Sequence, residues 1–308
     1  MDVILIIDKP EGWTSHDVVA RVRRVLKEKR VGHTGTLDPF ATGVLVLLVG
    51  RATRLAQFHA GAEKEYEATI RLGFDTDTGD LTGERREGLR TADCTALRGE
   101  ELEAALAPLR GEFEQVPPMY SAKKVGGRKL YELARKGEEV ERKAVPVRVS
   151  VFEIVGDESG RVLHHNEDGT CDVRARVVCS AGTYVRALAE SFGANLGTGA
   201  HLAALRRTRA GAFGLDRAVS LEELPRLFEE GREFLLPLEA ALPQLPSAHL
   251  TVGEASRVRH GAAVAARGAW EDGAQVALFE EGGALLAVGA YDARASLLRP
   301  RVMLAVEK

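Results

Sequence analysis

Apolar and polar residues alternate without a break from Lys64 to Leu72, and this alternation constrains the fold more than any other feature of the sequence. Successive side chains of a strand point to opposite faces, so the segment predicts a strand with one buried face, on which Tyr66 lies. The same pattern recurs at 147–155 and 172–179, which also predict strands. The continuous apolar runs Val3–Ile7 and Val44–Val49 predict strands buried on both faces.

Helical signals separate these strands, and together they predict a mixed α/β fold. Thr14 and Asp17 have the spacing of a capping box, and valines and a leucine follow at helical spacing up to Leu26. We also expect Thr183 to cap a helix from Tyr184 to about Asn195. Two more helices are predicted. One ends near Gly111, and the other is an acidic helix between Leu221 and Leu245, which a capping box at Ser220 and Glu223 opens.

The composition changes after residues 242–246, Leu-Pro-Gln-Leu-Pro, which we interpret as a linker. Beyond it, short apolar runs at 275–279, 285–288 and 302–306 are separated by glycines and predict a small β-barrel. The sequence therefore predicts two domains, at 1–245 and 246–308.

The net charge of −3 weighs against a nucleic-acid-binding protein, but the charge is unevenly distributed. Residues 21–30 carry six basic residues and one acidic residue, and residues 121–148 carry nine and four. A solvated helix face would explain the first cluster equally simply. No apolar run approaches the 18–20 residues of a membrane span, and the N-terminus lacks a basic region typical of a signal peptide. Three dispersed cysteines favour neither disulfides nor zinc and predict a cytoplasmic protein.

The segment Gly32–Gly43 consists of turn-forming residues and holds one carboxylate, Asp38, directly before Pro39. A single aspartate on a rigid loop rich in glycine suits a nucleophile or a base, whereas an Asx-turn is the structural alternative, and the residues alone do not decide between them. No nucleotide-binding motif is present. The segment Asp75–Asp80 departs from a calcium loop, and 164–165, His-His, is expected at the surface without partners.

Five motifs occur in an order that resembles the bacterial TruB family of tRNA pseudouridine synthases, which isomerise uridine 55 in the T-loop. The motifs are Lys9-Pro-Glu-Gly-Trp-Thr-Ser15, the Gly32–Gly43 loop, Lys64-Glu-Tyr66, Pro118-Met-Tyr-Ser-Ala-Lys123 and Gly182-Thr-Tyr-Val-Arg186. The resemblance implies a catalytic domain around a bent antiparallel sheet, with an insertion at about 121–148 that clamps the RNA arm. The segment after His249 resembles, more weakly, a PUA domain that binds RNA.

The resemblance also implies roles for individual residues. Asp38 matches the catalytic aspartate, Tyr66 the active-site tyrosine that packs on the base and is a candidate for taking the C5 proton, and Arg186 the arginine that pairs with the aspartate. The residues implied to bind substrate are His33, Tyr184, Leu205, Lys9 and Lys123. Two departures concern the 156–170 loop, which is longer than expected, and Ser191, which stands where an acidic residue is common.

The implied reaction moves a bond from N1 to C5 of one base, so it requires no cofactor, metal or ATP. The implied partner is the T-arm of tRNA, with the target base flipped out, and the protein is expected to act as a monomer. Two alternatives remain open, a uracil N-glycosylase and a non-catalytic protein that binds tRNA or acts as an RNA chaperone.

Overall fold

The computed structural model describes residues 1–86, 93–121, 123–134, 136–138, 140–231 and 233–304, with the backbone alone at 124 and 129. Its helices are α1 (Ser15–Leu26), α2 (Ala56–His59), α3 (Gly99–Leu106), α4 (Leu130–Ala134), α5 (Val185–Leu196), α6 (Leu224–Glu230) and α7 (Val252–Arg259). In the described part of the chain, no helix has the length and apolarity needed to cross a bilayer.

The strands, in chain order, are β1 (Val3–Lys9), β2 (Val31–His33), β3 (Thr42–Val49), β4 (Lys64–Leu72), β5 (Gly111–Gln115), β6 (Lys124–Val125), β7 (Arg128–Lys129), β8 (Val145–Ile154) and β9 (His164–His165). They continue as β10 (Cys171–Cys179), β11 (Ala200–Ala210), β12 (Phe213–Gly214), β13 (Val219–Ser220), β14 (Ser247–Leu250), β15 (Val264–Ala265), β16 (Gln275–Glu280), β17 (Leu285–Asp292) and β18 (Leu297–Met303).

A large sheet in the order β13-β1-β3-β11-β4-β10-β8-β5 forms the body of the molecule. Its pairs are antiparallel except for β1 with β13 and β3 with β11, which are parallel. The second sheet, a curled half-barrel, has the order β14-β16-β17-β18-β15. The predicted mixed α/β fold is therefore confirmed.

Helix α1 covers the face of β1 and β3 on which Leu5 and Leu47 are buried. The predicted capping box starts this helix, because the Thr14 hydroxyl accepts from the Asp17 amide and the Asp17 carboxylate accepts from the Thr14 amide. Helix α5 covers β4, β10 and β11. At Gly193, an added Cβ would lie 2.3 Å from the backbone nitrogen of Ala200, so only glycine allows α5 to lie this close to β11.

The opposite face of β1 and β3 packs against the second sheet. One apolar cluster contains Ile4 and Val46 of the first sheet together with Ala277, Leu285 and Val288 of the second. Each sheet also has apolar clusters of its own. The two sheets therefore share part of their buried surface.

The structure contradicts two helix predictions. The Thr183 hydroxyl lies 3.2 Å from the Ser180 hydroxyl, and α5 begins one residue later than predicted, with Tyr184 at the N-cap and no side-chain cap. The capping bond between Ser220 and Glu223 does form, but α6 covers only Leu224–Glu230. Gly231 and the prolines that follow it end the helix long before residue 245.

The two adjacent histidines lie at the surface as predicted, with His165 exposed and His164 half-buried, but they are not without contacts. They form β9 against β10, and the His165 Nδ1 lies 3.4 Å from the Cys171 Sγ. The His164 Nε2 lies 3.8 Å from an Asp157 carboxylate oxygen. The last apolar run, 302–306, lies partly outside the described residues; of its described part, 302 and 303 belong to β18, and Leu304 follows the strand as a buried residue.

Candidate active site

Asp38 lies on the loop between β2 and β3, and four hydrogen bonds fix that loop. The Ser15 hydroxyl accepts from the Leu37 amide at 2.9 Å and donates to the Leu37 carbonyl at 3.2 Å. The Lys9 Nζ and the Gly12 amide both donate to the Pro39 carbonyl, at 3.1 and 2.9 Å. Asp38 is therefore flanked on both sides by anchored backbone, and its position does not depend on an Asx-turn contact.

Arg186, at the second position of α5, pairs with Asp38. The Arg186 Nε lies 3.0 Å from the Asp38 Oδ2, and the Arg186 side chain is only 5% exposed. Its two terminal nitrogens donate to the Thr78 carbonyl at 2.8 Å and the Tyr120 carbonyl at 2.6 Å. A second carboxylate, that of Asp80, lies 3.6 Å from Arg186 Nη1. The planar guanidinium thus binds four groups at once, which a lysine ammonium cannot do.

The ionisation of Asp38 reflects opposing influences. Burial raises the pKa of this carboxyl above its ordinary value of 3.8, and the negative charge of Asp80 acts in the same direction. The positive charge of Arg186 and its hydrogen bond lower the pKa, and Lys9 adds a smaller effect of the same sign. The Asp38 side chain still keeps 36% of its surface exposed, so the carboxylate remains accessible to a ligand.

Tyr66 projects from the middle of β4 onto the same face as its cross-strand partner Arg207 of β11. Burial raises the pKa of the Tyr66 phenol, while the charge and hydrogen bond of Arg207 oppose that rise. Arg207 is itself fixed by the Val44 carbonyl at 2.7 Å and the Gly35 carbonyl at 3.0 Å. The phenol is therefore neutral near pH 7.

Strands β3 and β11 meet closely beside this pair. An added Cβ at Gly43 would lie 2.2 Å from the Arg207 carbonyl oxygen, and Gly43 has a φ of +99°. Glycine is consequently required where the loop rejoins β3.

A cavity of about 290 Å³ opens between these groups. Its walls are formed by residues of the 34–38 loop, β4, the 180–186 segment and β11; the lining side chains include Asp38, Tyr66, Arg186, Tyr184, Leu205, Lys64, Ser121 and Arg207. The structure thus brings together five of the eight residues that the resemblance implies: Asp38, Tyr66, Arg186, Tyr184 and Leu205.

The other three implied residues lie outside the cavity wall. Lys9 is fully buried, and its Nζ donates to the carbonyls of Pro10, Trp13 and Pro39, so it supports the loop rather than facing a ligand. Burial lowers the pKa of the Lys9 ammonium to about 8. His33 packs edge-to-face on His16 with the ring centroids 5.8 Å apart.

Lys123 is half-buried, and its carbonyl accepts from the Leu130 amide at 2.9 Å. Of the insertion at 121–148, residues 122, 135 and 139 lie outside the described part of the chain.

Sequence reasoning missed four residues of the site: Asp80, Lys64, Ser121 and Arg207. The alternation along β11 could have revealed Arg207, because it lies two residues after Leu205 and therefore on the same face. Asp80 had been considered only within a rejected calcium loop. In the described part of the chain, no group of three histidine, cysteine or acidic residues is arranged to hold a metal ion.

The chain is similar to known proteins over most of its length. Residues 23–185 match the family model "TruB family pseudouridylate synthase (N terminal domain)", and residues 186–243 match "tRNA pseudouridylate synthase B C-terminal domain". The chain is 48% identical over 288 residues to tRNA pseudouridine synthase B of Thermobifida fusca, covering 93% of this chain and 94% of that protein. It is also 48% identical over 263 residues to the protein of the same name from Solibacter usitatus, covering 85% of each.

Two solved structures share the fold over 99% of this chain. One is an H/ACA RNP bound to a substrate RNA containing 2'-deoxyuridine, with a TM-score of 0.72, 26% identity and 85% of that chain covered. The other is a Cbf5-Nop10-Gar1 complex, with a TM-score of 0.70, 29% identity and 84% of that chain covered.

Proposed function

The chain belongs to the TruB family of pseudouridylate synthases, and on this premise we propose that it converts uridine 55 in the T-loop of tRNA to pseudouridine, with Asp38 as the nucleophile. The curated relatives are named as tRNA pseudouridine synthases, which supports tRNA as the substrate. The observation that carries the proposal is the carboxylate of Asp38, open to a cavity and paired at 3.0 Å with the buried guanidinium of Arg186.

The reaction needs an ionised carboxylate and a uracil ring that can rotate within the site. The Asp38 carboxylate attacks C6 of uracil or C1′ of the ribose, and the bond between N1 and C1′ breaks. The ring turns, C5 bonds to C1′, C5 loses its proton, N1 gains one, and the carboxylate is released unchanged. Arg186 keeps Asp38 ionised against the effect of burial, because its positive charge lowers the pKa of that carboxyl.

Tyr66 supports the base during this turn. An aromatic ring on the cavity wall can stack on uracil. The phenol is neutral, so it can accept the C5 proton only if it gives up its own hydroxyl proton at the same time. The positive charge of Arg207 lies beside the phenol and opposes the rise of its pKa. The cavity of about 290 Å³ is at the small end for ligand pockets, which suits one flipped nucleotide rather than a paired helix.

The RNA backbone would be bound outside the cavity. Exposed basic residues at the end of α1 and beyond it, Arg24, Lys27, Lys29 and Arg30, offer contacts to phosphates. We extend the proposal to the insertion at 121–148, including Lys123, as a clamp on the T-arm, and to residues 246–308 as a separate RNA-binding domain. His33 would contact the T-loop from the edge of the site. The protein would act as a cytoplasmic monomer that requires no cofactor or metal.

A single experiment tests the reaction. Unmodified tRNA transcript carrying tritium at uracil C5 is incubated with the protein in EDTA. Tritium release from an intact RNA chain, lost when position 55 is changed to cytidine, supports the proposal. Release of free uracil would instead indicate a glycosylase, and binding without either product would indicate a non-catalytic RNA-binding protein.

A further inference from the structure

One buried hydroxyl in the cavity wall has no partner within the described residues. Ser121 is 5% exposed and lines the cavity, yet its Oγ makes no hydrogen bond to any described group. Leaving a buried hydroxyl unsatisfied costs about 1–3 kcal/mol, so native proteins rarely retain one without a use. By contrast, the Ser180 hydroxyl, also in the wall, accepts from the Arg148 amide at 2.9 Å.

Hydrogen bonds fix the backbone on both sides of this hydroxyl. The Tyr120 carbonyl accepts from Arg186 at 2.6 Å, and the Ser121 carbonyl accepts from the Tyr131 amide at 3.0 Å. The same guanidinium that holds Asp38 therefore positions the peptide that carries Ser121. The hydroxyl is thus pre-positioned at the wall of a cavity that Asp38 also lines.

We propose that the Ser121 hydroxyl is a substrate-positioning group that donates a hydrogen bond to a carbonyl oxygen of the target uracil and keeps the detached ring in register for rejoining through C5. This inference rests on the proposed function, since it names a contact within that reaction.

The chemistry of uracil explains why one hydroxyl suffices. Turning the ring by half a turn about the line through N3 and C6 exchanges N1 with C5 and O2 with O4. A group that donates to O2 before the turn therefore meets O4 in the same place afterwards. A hydroxyl has a rotatable hydrogen and can follow small shifts of the ring while it turns.

The first test compares Ser121→Ala with Ser150→Ala in the full-length protein. Ser150 is the matched control, because its hydroxyl lies outside the cavity wall and donates to the Val178 carbonyl and to Glu63, both at 3.1 Å. We expect Ser121→Ala to lower the single-turnover rate of tritium release about three- to tenfold, the value of one neutral hydrogen bond. Its Kd for tRNA should stay within about twofold, and its Tm should not fall, since no bond within the protein is lost.

The control should show the opposite pattern, a lower Tm with an unchanged rate.

The second test is a double cycle with T-arm stem-loops that carry 2-thiouridine or 4-thiouridine at the target, because sulfur is a weak hydrogen-bond acceptor. We expect the effects of Ser121→Ala and of at least one thio substitution to be non-additive.

Three results would overturn the inference: a Ser121→Ala rate within twofold of wild type, a rate loss that tracks a loss of Tm, or additivity with both thio substrates. A wild-type protein that releases no tritium would refute the proposed function as well, and is distinguished by the wild-type measurement alone.

Discussion

Replacing Arg186 tests whether the ion pair sets the reactivity of Asp38. Arg186→Lys keeps a positive charge but loses the fork, and Arg186→Met removes both the charge and the donors. In the structure, the Arg186 Nε pairs with the Asp38 carboxylate, while the two terminal nitrogens donate to the Thr78 and Tyr120 carbonyls. A lysine ammonium cannot reproduce this arrangement, so one or more of these acceptors loses its donor.

The expected loss of rate follows from the hydrogen bonds that each variant removes. A hydrogen bond to a charged group contributes about 1.5–3 kcal/mol. Losing the one that orients the Asp38 carboxylate should lower the single-turnover rate of Arg186→Lys roughly 10- to 100-fold. Arg186→Met should lose more and should also lower the Tm, because it leaves the Asp80 carboxylate, whose side chain is 6% exposed, without a counter-charge.

The pH dependence of the rate shows in which direction the pKa of Asp38 shifts when Arg186 is replaced. The reaction needs the carboxylate form of Asp38, and the Arg186 charge lowers the pKa of that carboxyl. Without this charge the pKa rises, so the acid limb of the rate profile should move to higher pH in Arg186→Met and less in Arg186→Lys. Tritium release is measured between pH 4.5 and 8 at 20 °C, with Tm recorded at each pH. An acid limb in Arg186→Met that coincides with that of the wild type would refute the assignment.

Three further substitutions separate the roles of the site. Asp38→Asn should abolish turnover while the tRNA Kd in a filter-binding assay stays within about tenfold, since many phosphate contacts supply affinity; measurable turnover would exclude Asp38 as nucleophile. Tyr66→Phe should keep the stacking ring but lose the bond from Arg207 and the proton relay, so single-turnover tritium release should slow; a rate equal to wild type would show that the phenol is dispensable. Lys9→Met should lower the Tm, since the Pro10 and Trp13 carbonyls lose the Lys9 donor and the Pro39 carbonyl keeps only the Gly12 amide; an unchanged Tm in scanning calorimetry would contradict its supporting role.

Short-range patterns predicted the elements well. The bounds of β4 agree with the alternation from Lys64 to Leu72. A strand with one buried face requires an apolar residue at every second position, so its extent can be read from the sequence. The capping box of α1 formed for the same reason, since Thr14 and Asp17 contact each other within one turn.

Predictions failed where a distant residue supplied the partner. Thr183 was expected to cap α5, but the N-cap is Tyr184, whose amide donates to Gln115, 69 positions away in the sequence. The two histidines of β9 have partners because the chain folds them back onto β10. In each case tertiary contacts replaced the local ones that sequence patterns describe.

In the candidate site, too, local motifs predicted some residues, whereas others are recognised only from tertiary contacts. Motifs singled out Asp38, Tyr66 and Arg186, and the structure places all three around one cavity. The residues that support them, Asp80 and Arg207, come from segments whose proximity follows from strand pairing and from the fold of the 75–80 turn. A buried hydroxyl such as that of Ser121 can be recognised only after its possible partners have been placed.

The apolar cluster shared by the two sheets bears on how this protein could be recombined with its relatives. Because Ile4 and Val46 pack against Ala277, Leu285 and Val288, a graft of a foreign tail after residue 245 would have to match the side-chain volumes on both sides of the junction. A chimera joined at the linker without such matching would leave voids or overlaps beneath β1 and β3. The predicted linker at 242–246 is therefore a poor place to divide the hydrophobic core, since Leu242 itself belongs to the shared cluster.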